Sequence, residues 1–151
     1  MIIKIGLVVA AIALVFFIGI QFIPVQRMNP PVLTQPDWDS AQTQALARRA
    51  CIDCHSNETN WRWYTYIAPA SWLVAHDVDE GRRELNLSQL NTDPTRTSRL
   101  AQRIQRAIQN GQMPPSQYLI MHPEAKLTPD EKQALETGLQ KTLSKPPLVT
   151  Q

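Results

Sequence analysis

The chain has 151 residues, of which 43% are hydrophobic, with 15 Lys and Arg against 13 Asp and Glu. That length fits one domain plus additional segments, and a formal net charge of +2 without a long basic block argues against a nucleic-acid-binding protein. Twelve prolines and five glycines predict that loops make up a substantial part of the fold.

The N-terminal segment is almost wholly apolar. Residues 5–26 carry no charge, and Gln21 is the main polar interruption of the run. At about 1.5 Å per residue, some 20 helical residues cross the roughly 30 Å hydrocarbon core of a bilayer. No A-x-A-like cleavage pattern follows the run. The sequence therefore predicts an uncleaved signal-anchor, a single transmembrane helix within residues 1–26, in preference to a cleaved signal peptide.

Two segments without helices are predicted to flank the main domain. Residues 27–38 contain three prolines and are expected to form a stiff, extended linker that lifts the domain off the bilayer. Residues 146–151 begin with two prolines and are expected to be a frayed tail. The domain itself is thus predicted to occupy residues 39–145.

The only two cysteines lie in one pentapeptide, Cys51-Ile52-Asp53-Cys54-His55. The pattern C-x-x-C-H is typical of c-type haem attachment. Its spacing sets both thiols on one turn of chain, where each can add to a haem vinyl group, and His55 offers a nitrogen to the iron as proximal ligand. We therefore predict one covalent haem c bound through Cys51 and Cys54.

Three other interpretations of the two cysteines are weaker. A disulfide across two residues would close a very small loop and would constrain the unfolded chain little. A thioredoxin-like redox pair requires a βαβ context, which the sequence does not indicate. A zinc site normally takes four ligands, and after the pentapeptide only His76, His122 or a carboxylate could complete such a site.

Hydrophobic periodicity and capping signals predict four helices in the domain. Asp37 or Asp39 is expected to cap the first of them, and Gly111 is placed to end the third. The four predicted helices are Asp39–Ala50, Ser71–Arg83, Thr97–Asn110 and Thr128–Leu143.

The last predicted helix has the clearest signals. Thr128 and Glu131 have the spacing of a capping box, with Pro129 at the first helical position. Ala134 and Gly138 are small and four residues apart, so another helix is expected to cross closely there. The first helix, which has an alanine-rich face, is the expected partner.

A cluster of aromatic residues follows the pentapeptide: Trp61, Trp63, Tyr64, Tyr66 and Trp72. Ordinary core packing is one interpretation. The other is a haem wall of Trp63, Tyr64 and Trp72, because such side chains offer a flat apolar body and one donor. Arg82 or Arg62 is a candidate partner for a haem propionate. The sequence leaves both interpretations open.

Met113 is the predicted second axial ligand of the iron. It follows a helix stop and precedes two prolines, so its backbone is held in a stiff loop from which the thioether can project. A thioether ligand raises the reduction potential, which suits electron transfer. Met121 and His122, expected in a second loop, and His76 remain alternatives.

Many further stretches match the pattern of one known family. They are Gln21-Phe22-Ile23-Pro24, Asn29-Pro30-Pro31-Val32, Cys51 to Asn57, Trp61-Arg62-Trp63-Tyr64, Ile67 to Val74, Asp77-Val78, Gly81-Arg82, Asn110 to Pro115, Tyr118 and His122 to Thr128. On these residues the chain resembles the membrane-anchored haem-binding domain family of small bacterial c-type cytochromes. The resemblance runs from the anchor nearly to the last helix.

The resemblance implies a mostly α fold, a cytochrome-c-like helical domain around one covalent haem c. In that pattern Cys51 and Cys54 bind the haem, His55 is the proximal ligand, and Met113 resembles the distal methionine of a Gly-x-Met-Pro loop. The chain departs from ordinary small cytochromes c in its long aromatic insert after the pentapeptide and in the lack of a glycine in the preceding helix.

The predicted function is electron transfer rather than enzymatic catalysis. Lys4 and Arg27 give only a slight charge bias across the anchor, but c-type haem is attached on the outer side of the bacterial inner membrane. The domain is therefore expected in the periplasm, exchanging one electron with redox protein partners at the membrane, with the lipid bilayer holding the N-terminal helix.

Two other functions are kept as alternatives. One is a haem-based sensor or peroxidase-like enzyme with an exchangeable sixth ligand, in which His76 or His122 acts as a distal acid or base. The other is a structural or assembly protein without haem that uses its cysteines as a thiol pair. Haem that survives denaturing electrophoresis would exclude the second of these.

Overall fold

The computed structural model describes residues 2–91 and 93–150, and helices dominate this part of the chain. The mostly α fold expected from the sequence is confirmed. The described helices are α1 (Ile2–Ile20), α2 (Ala41–Ala50), α3 (Ile52–His55), α4 (Ala70–Glu84), α5 (Pro94–Gln109), α6 (Ser116–Met121) and α7 (Pro129–Leu143). Short 3-10 turns occupy Trp63–Tyr66 and Pro123–Ala125, and two strands, β1 (Thr34–Gln35) and β2 (Leu148–Val149), pair antiparallel.

The chain folds into two compact units. The first combines the residues up to Met28 with Asn60–Asp77, and the second combines Asn29–Thr59 with the residues from Val78 onwards. The first unit therefore contains α1 and all five residues of the aromatic cluster, which we call the aromatic stretch. The second contains the cysteine pentapeptide and the remaining helices, apart from the first half of α4.

Helix α1 has the length and composition to cross a membrane. The segment Ile3–Ile20 is apolar and none of it is buried. Nineteen residues at about 1.5 Å each extend about 28 Å, close to the thickness of a hydrocarbon core. The helix ends at Ile20, before the apolar sequence does, and Gln21 then donates through Nε2 to the carbonyl of Phe17 at 2.9 Å.

Helix α2 begins one residue later than the predicted capping aspartates imply. Ser40 is the N-cap, since its Oγ accepts a hydrogen bond from the backbone N–H of Thr43 at 3.1 Å. The prediction that Asp37 or Asp39 caps this helix is wrong, because the serine hydroxyl occupies the position from which a side chain reaches the third helical N–H. The predicted C-terminal end at Ala50 is confirmed.

Helix α7 confirms the capping box. Thr128 Oγ1 accepts from the N–H of Glu131 at 3.2 Å, and Glu131 Oε2 accepts from the N–H of Thr128 at 2.8 Å. Arg49 of α2 also pairs with Glu131 at 2.6 Å, and these hydrogen bonds lower the pKa of the glutamate. The cap of α7 is thereby joined to the end of α2.

The expected close crossing of α2 and α7 is confirmed at Gly138. A Cβ at this position would lie 1.9 Å from Oγ1 of Thr43, a distance that no side chain tolerates. Around the crossing, apolar residues of α2, α5, α7 and the chain before α7 form one buried cluster: Leu46, Ala47, Ile108, Leu127, Leu135 and Leu139. The glycine thus permits the packing that buries this cluster.

Substituting Gly138→Ala is expected to destabilise the chain by about 1–3 kcal/mol, because the added methyl group overpacks the crossing of α2 and α7. The free energy of unfolding in urea, measured on the full chain in detergent, checks this. The neighbouring Thr137→Ala, at an exposed position of the same helix, is the control. Equal stability of the two variants would contradict the predicted overpacking.

Helix α5 starts three residues before the predicted Thr97. Asp93 caps it, since Oδ1 accepts from the N–H of Thr95 at 2.9 Å. The sequence carried this signal, an aspartate followed by a proline at the first helical position. The predicted stop is confirmed: the helix ends at Gln109, and Gly111 has a φ of 67°, which favours glycine.

The segment before α2 and the segment after α7 are both held by backbone hydrogen bonds. Leu33 and Thr34 both donate to the carbonyl of Ser88 at 3.0 Å, and Thr150 donates to the carbonyl of Leu33 at 3.1 Å. Strand β2 pairs with β1. The prediction of a frayed tail is therefore wrong for Leu148–Val149, because backbone hydrogen bonds to the proline-rich segment hold it.

Candidate cofactor-binding site

The cysteine pentapeptide forms a single helical turn directly after α2. Cys51 has a φ of −129°, which ends α2, and its N–H still donates to the carbonyl of Ala47 at 2.8 Å. The carbonyl of Cys51 in turn accepts from the N–H of His55 at 2.9 Å. The break between α2 and α3 therefore sets both thiols and the imidazole on one compact turn, as the spacing predicted.

The two cysteines are not joined in a disulfide. Burial, followed by the nearby Cys54, raises the pKa of the Cys51 thiol to about 12. Cysteines of reactive redox pairs usually have a lowered pKa, because the thiolate is the nucleophile. The raised pKa of Cys51 thus opposes the interpretation as a thioredoxin-like pair.

The imidazole of His55 is fixed by two backbone carbonyls. Its Nδ1 lies 2.9 Å from the carbonyl oxygen of Gly81 and 3.2 Å from that of Leu85. Since both partners only accept, Nδ1 carries the proton and Nε2 keeps its lone pair. Burial lowers the pKa of His55, although the two carbonyl bonds oppose the shift. A neutral ring with a fixed tautomer is the form that binds a metal.

Gly81 allows α4 to approach the pentapeptide. A Cβ at Gly81 would lie 2.6 Å from the carbonyl oxygen of Cys54 and 3.0 Å from its carbon. The clash would be costly to relieve, because the atoms next to the added Cβ belong to the backbone of Cys54 and cannot move away as a flexible side chain could. The sequence had indicated Gly81 only as a weak point near the end of a helix. The structure shows that the missing side chain brings the carbonyl of Gly81 to His55.

A cavity of about 470 Å³ lies beside the pentapeptide in the second unit. Pockets for small ligands and cofactors occupy about 300–1,000 Å³ and are mostly apolar. Cys51, His55 and Met113 all line this cavity. Most of the remaining wall is apolar and comes from α2, α5, α7 and nearby loops: Ala47, Ala50, Leu85, Leu87, Leu100, Ile104, Ala107, Ile108, Pro114, Leu127, Leu135 and Leu139.

Met113 lies in the loop that follows α5. Its N–H donates to the carbonyl of Ala107 at 3.2 Å, alongside the N–H of Gln112 at 2.9 Å. The side chain is 38% exposed and forms part of the cavity wall. The loop expected from Gly111 and the two prolines is thus confirmed, and it brings a thioether into the cavity that His55 also lines.

The alternative axial ligands do not line the cavity. Met121 is 45% exposed at the end of α6, and His76 is an exposed residue of α4 that belongs to the first unit. His122 is buried, with its ring stacked on Tyr118 at 4.0 Å and its Nδ1 3.2 Å from a carboxylate oxygen of Glu124. The second loop predicted around Met121 is wrong, because Ser116–Met121 forms a helix.

Helix α6 connects the Met113 loop to the pentapeptide. The hydroxyl of Tyr118 donates to Oδ2 of Asp53 at 2.9 Å, and Asp53 lies between the two cysteines. The two residues are 65 positions apart in sequence, so this contact could not be predicted from the local sequence around either of them. It fastens the helix that follows Met113 to the turn that carries His55.

The residues of the predicted aromatic wall are not among those that line the cavity. Trp63, Tyr64 and Trp72 belong to the first unit, whereas every residue that lines the cavity belongs to the second. Trp63 is 69% exposed and makes an edge-to-face contact with Tyr64, with ring centroids 5.8 Å apart. A role for these three side chains at the haem therefore stays a prediction.

Arg82 has a different set of partners from the predicted propionate. Its Nε donates to the carbonyl of Ser56 at 2.8 Å, and its Nη2 donates to Asn29 Oδ1 at 3.0 Å and Thr59 Oγ1 at 2.9 Å. These bonds fasten the chain after His55 to the start of the second unit. The propionate role of Arg82 stays a prediction.

Two arginines that the sequence had not singled out line the cavity. Arg103 and Arg106 both lie on α5, and Arg103 pairs with Glu84 of α4. A signal was present, since both lie within one turn of Ile104 and Ala107, which belong to the predicted apolar face. Glu84 lines the cavity as well, so the charge of Arg103 is paired there, and Asn110 and Gln112 add polar groups to the mostly apolar wall.

The zinc interpretation requires further ligands near the cysteines. Within residues 2–91 and 93–150, no three or more His, Cys, Asp or Glu side chains are grouped so that they could hold a metal ion. The donors that line the cavity are instead the imidazole of His55, the thioether-bearing Met113 and Cys51, whereas Cys54 is not among the lining residues.

Comparison with known proteins gives one match. The sequence model of a family described as a haem-binding domain matches residues 15–141, which is 127 of the 151 residues. The matched range begins within α1 and ends within α7, so it includes the pentapeptide, every residue of the cavity and Met113. No curated protein and no solved structure matches the chain.

Proposed function

Since the chain belongs to the haem-binding domain family, we propose that it carries one covalent haem c and transfers single electrons as a membrane-tethered cytochrome. The observation that carries this proposal is the cavity, whose wall includes Cys51, His55 and Met113 together. In the proposed site Cys51 is one of the two attachment residues, with Cys54 on the same turn, and His55 and Met113 are the two axial ligands. His55 and Met113 are 58 positions apart in sequence, yet both line this one cavity.

The residues of the cavity fit a haem in chemistry and polarity. Cys51 and Cys54 would hold it through thioethers, each formed when a thiol S–H adds across a vinyl double bond. His55 would bind iron through Nε2, since Nδ1 is engaged by carbonyls. The mostly apolar wall suits a macrocycle, and Arg106, together with Arg103 if it exchanges Glu84 for the haem, would pair with propionates.

A filled axial position favours electron transfer over catalysis. When bound, the haem supplies one-electron exchange between ferric and ferrous iron. Met113 would occupy the side that a substrate needs, and its neutral thioether would favour the ferrous state and raise the potential. The apolar side chains around the cavity would limit the access of water, and this lower local dielectric would help to set the reduction potential of the iron.

Helix α1 supports the proposed membrane tether. Its length and apolar surface fit a single span, and c-type haem attachment on the outer side of the bacterial inner membrane places the domain in the periplasm. A tether raises the effective concentration of the haem domain for membrane-bound redox proteins. The proposed partners are therefore proteins that give or take one electron at that surface.

The proposal is tested on the full chain produced in a host competent for cytochrome c maturation. A haem stain that survives a denaturing gel is the expected result, together with a low-spin ferric spectrum that shows a methionine–iron charge-transfer band. High-spin ferric iron that binds peroxide rapidly would contradict the electron carrier and would favour the sensor or peroxidase alternative.

Met113→Ala is expected to convert the ferric iron to a high-spin or water-bound form and to lower the potential. The drop should be on the order of 0.1 V, a fraction of the ~0.8 V range over which axial ligands set haem potentials. Spectra and redox titration measure both effects. Met121→Ala is the matched control, and an unchanged spectrum and potential in Met113→Ala would refute the assignment.

A further inference from the structure

The aromatic stretch of the first unit is bound to the end of α1. Gln21, the first residue after the helix, donates through Nε2 to the carbonyl of Ala68 at 3.2 Å, and its Oε1 accepts from the N–H of Ala68 at 2.9 Å. One side-chain amide thus pairs with both backbone groups of a residue 47 positions away. These two hydrogen bonds set the aromatic stretch at the level where α1 ends.

Arg27 provides a second attachment. Its Nη1 donates to the carbonyl of Thr65 at 3.2 Å, and its guanidinium lies over the ring of Tyr66, 4.6 Å from the centroid. Both residues belong to the 3-10 turn Trp63–Tyr66. Arg27 therefore holds the turn itself, whereas Gln21 holds Ala68, two residues after the turn ends.

Large apolar side chains are exposed around these attachments. Trp63 is 69% exposed, Tyr66 58% and Ile67 41%, and Phe22 and Ile23 directly after α1 are 80% and 52% exposed. Contiguous exposed apolar side chains of this kind mark interaction sites. Trp and Tyr, each with an apolar body and one polar atom, are enriched at the level of lipid headgroups.

We propose that the turn Trp63–Tyr66 is a second membrane contact, inserted into the headgroup region of the bilayer beside the end of α1. The inference rests on the proposed insertion of α1 in the membrane. An α1 that spans the hydrocarbon core ends near its boundary, and Gln21 holds the aromatic turn there. Trp63, Tyr66 and Ile67 then enter the lipid interface, and Arg27 meets the phosphates.

This contact gives the aromatic residues of the first unit a role that does not involve the cavity. The exposed rings share a unit with the apolar helix, whereas the cavity wall comes wholly from the other unit. Continuity with α1 favours lipid as the occupant, because the exposed side chains extend the apolar surface of the helix through Phe22 and Ile23. A protein partner at the turn is the competing outcome of the test.

The test uses a diazirine-bearing residue placed at position 16, 63 or 120 of the full haem-loaded chain, reconstituted in vesicles of phosphatidylethanolamine and phosphatidylglycerol. Phe16 lies within α1, and Ile120 is an exposed apolar control in the second unit, 78% accessible. After illumination, mass spectrometry measures lipid adducts. We expect adducts at 16 and 63, with the yield at 63 at least tenfold above that at 120.

The outcomes separate the two proposals. Adducts at 16 but only background at 63 would overturn the aromatic contact and leave the anchor intact. Background at both 16 and 63 would overturn the anchor and, with it, this contact. Gln21→Ala is expected to reduce the yield at 63 several-fold and to leave the yield at 16 unchanged, whereas Gln42→Ala, an exposed polar control on α2, should change neither.

Discussion

Replacing Cys51 and Cys54 together by serine is expected to abolish the haem stain on a denaturing gel. Serine preserves the size of each side chain but forms no thioether, so any haem that the cavity still holds through His55 and Met113 would dissociate when the chain unfolds. The measurement is the haem stain relative to total protein, after production in a host competent for cytochrome c maturation. Loss of about 95% of the stain, roughly a twentyfold decrease, is the expected magnitude, because both attachment residues of the C-x-x-C-H motif are removed.

Single variants distinguish the loss of a thioether from the loss of an axial ligand. Cys51→Ser and Cys54→Ser each leave one thioether, so both should keep a stain with a shifted absorption band of the reduced haem. Met113→Ala should stain like the parent chain, because it removes an axial ligand and no covalent bond. Persistent staining of the double variant would show that the haem is attached elsewhere, and an unstained parent chain would refute covalent attachment.

Gly81→Ala is expected to disturb the site through the backbone. The added Cβ would lie 2.6 Å from the carbonyl oxygen of Cys54, and the required shift of α4 would displace the carbonyl that binds Nδ1 of His55. Overpacking of this kind typically costs about 1–3 kcal/mol. The free energy of unfolding in urea should fall by that amount, and the haem spectrum should report a weakened histidine ligand.

The matched control is Glu80→Ala, at the adjacent exposed position of α4. It raises helix propensity as the glycine variant does, but it adds no atom near the pentapeptide. Its stability and haem spectrum should therefore stay close to those of the parent chain. A Gly81→Ala chain that matches the control in both measurements would contradict the role given to the close approach.

The role of the aromatic stretch could not be decided from its local sequence. From the sequence, Trp63, Tyr64 and Trp72 were equally consistent with core packing and with a haem wall. Side-chain composition alone does not reveal which element an aromatic ring packs against. The hydrogen bonds from Gln21 and Arg27 place the stretch in the unit of the apolar helix, and those partners lie far away in sequence.

The sequence by itself determined the features that depend on neighbouring residues. The C-x-x-C-H spacing indicated the turn that carries Cys51, Cys54 and His55. A long, almost wholly apolar run indicated α1, and Thr128 with Glu131 indicated the start of α7. Each signal spans only a few residues or one regular periodicity, so local geometry is enough to express it. The loop at Met113 was predictable for the same reason, since a glycine and two prolines restrict the backbone directly.

Only the tertiary structure decided which of these features meet. The bonds of His55 to Gly81 and Leu85, and of Tyr118 to Asp53, join residues 26 to 65 positions apart. The pairing of β1 with β2 likewise joins the two ends of the second unit. Such contacts arise when helices pack and bury their apolar faces, which no short stretch encodes alone. Packing of α2, α5 and α7 thus forms the cavity whose wall includes both His55 and Met113.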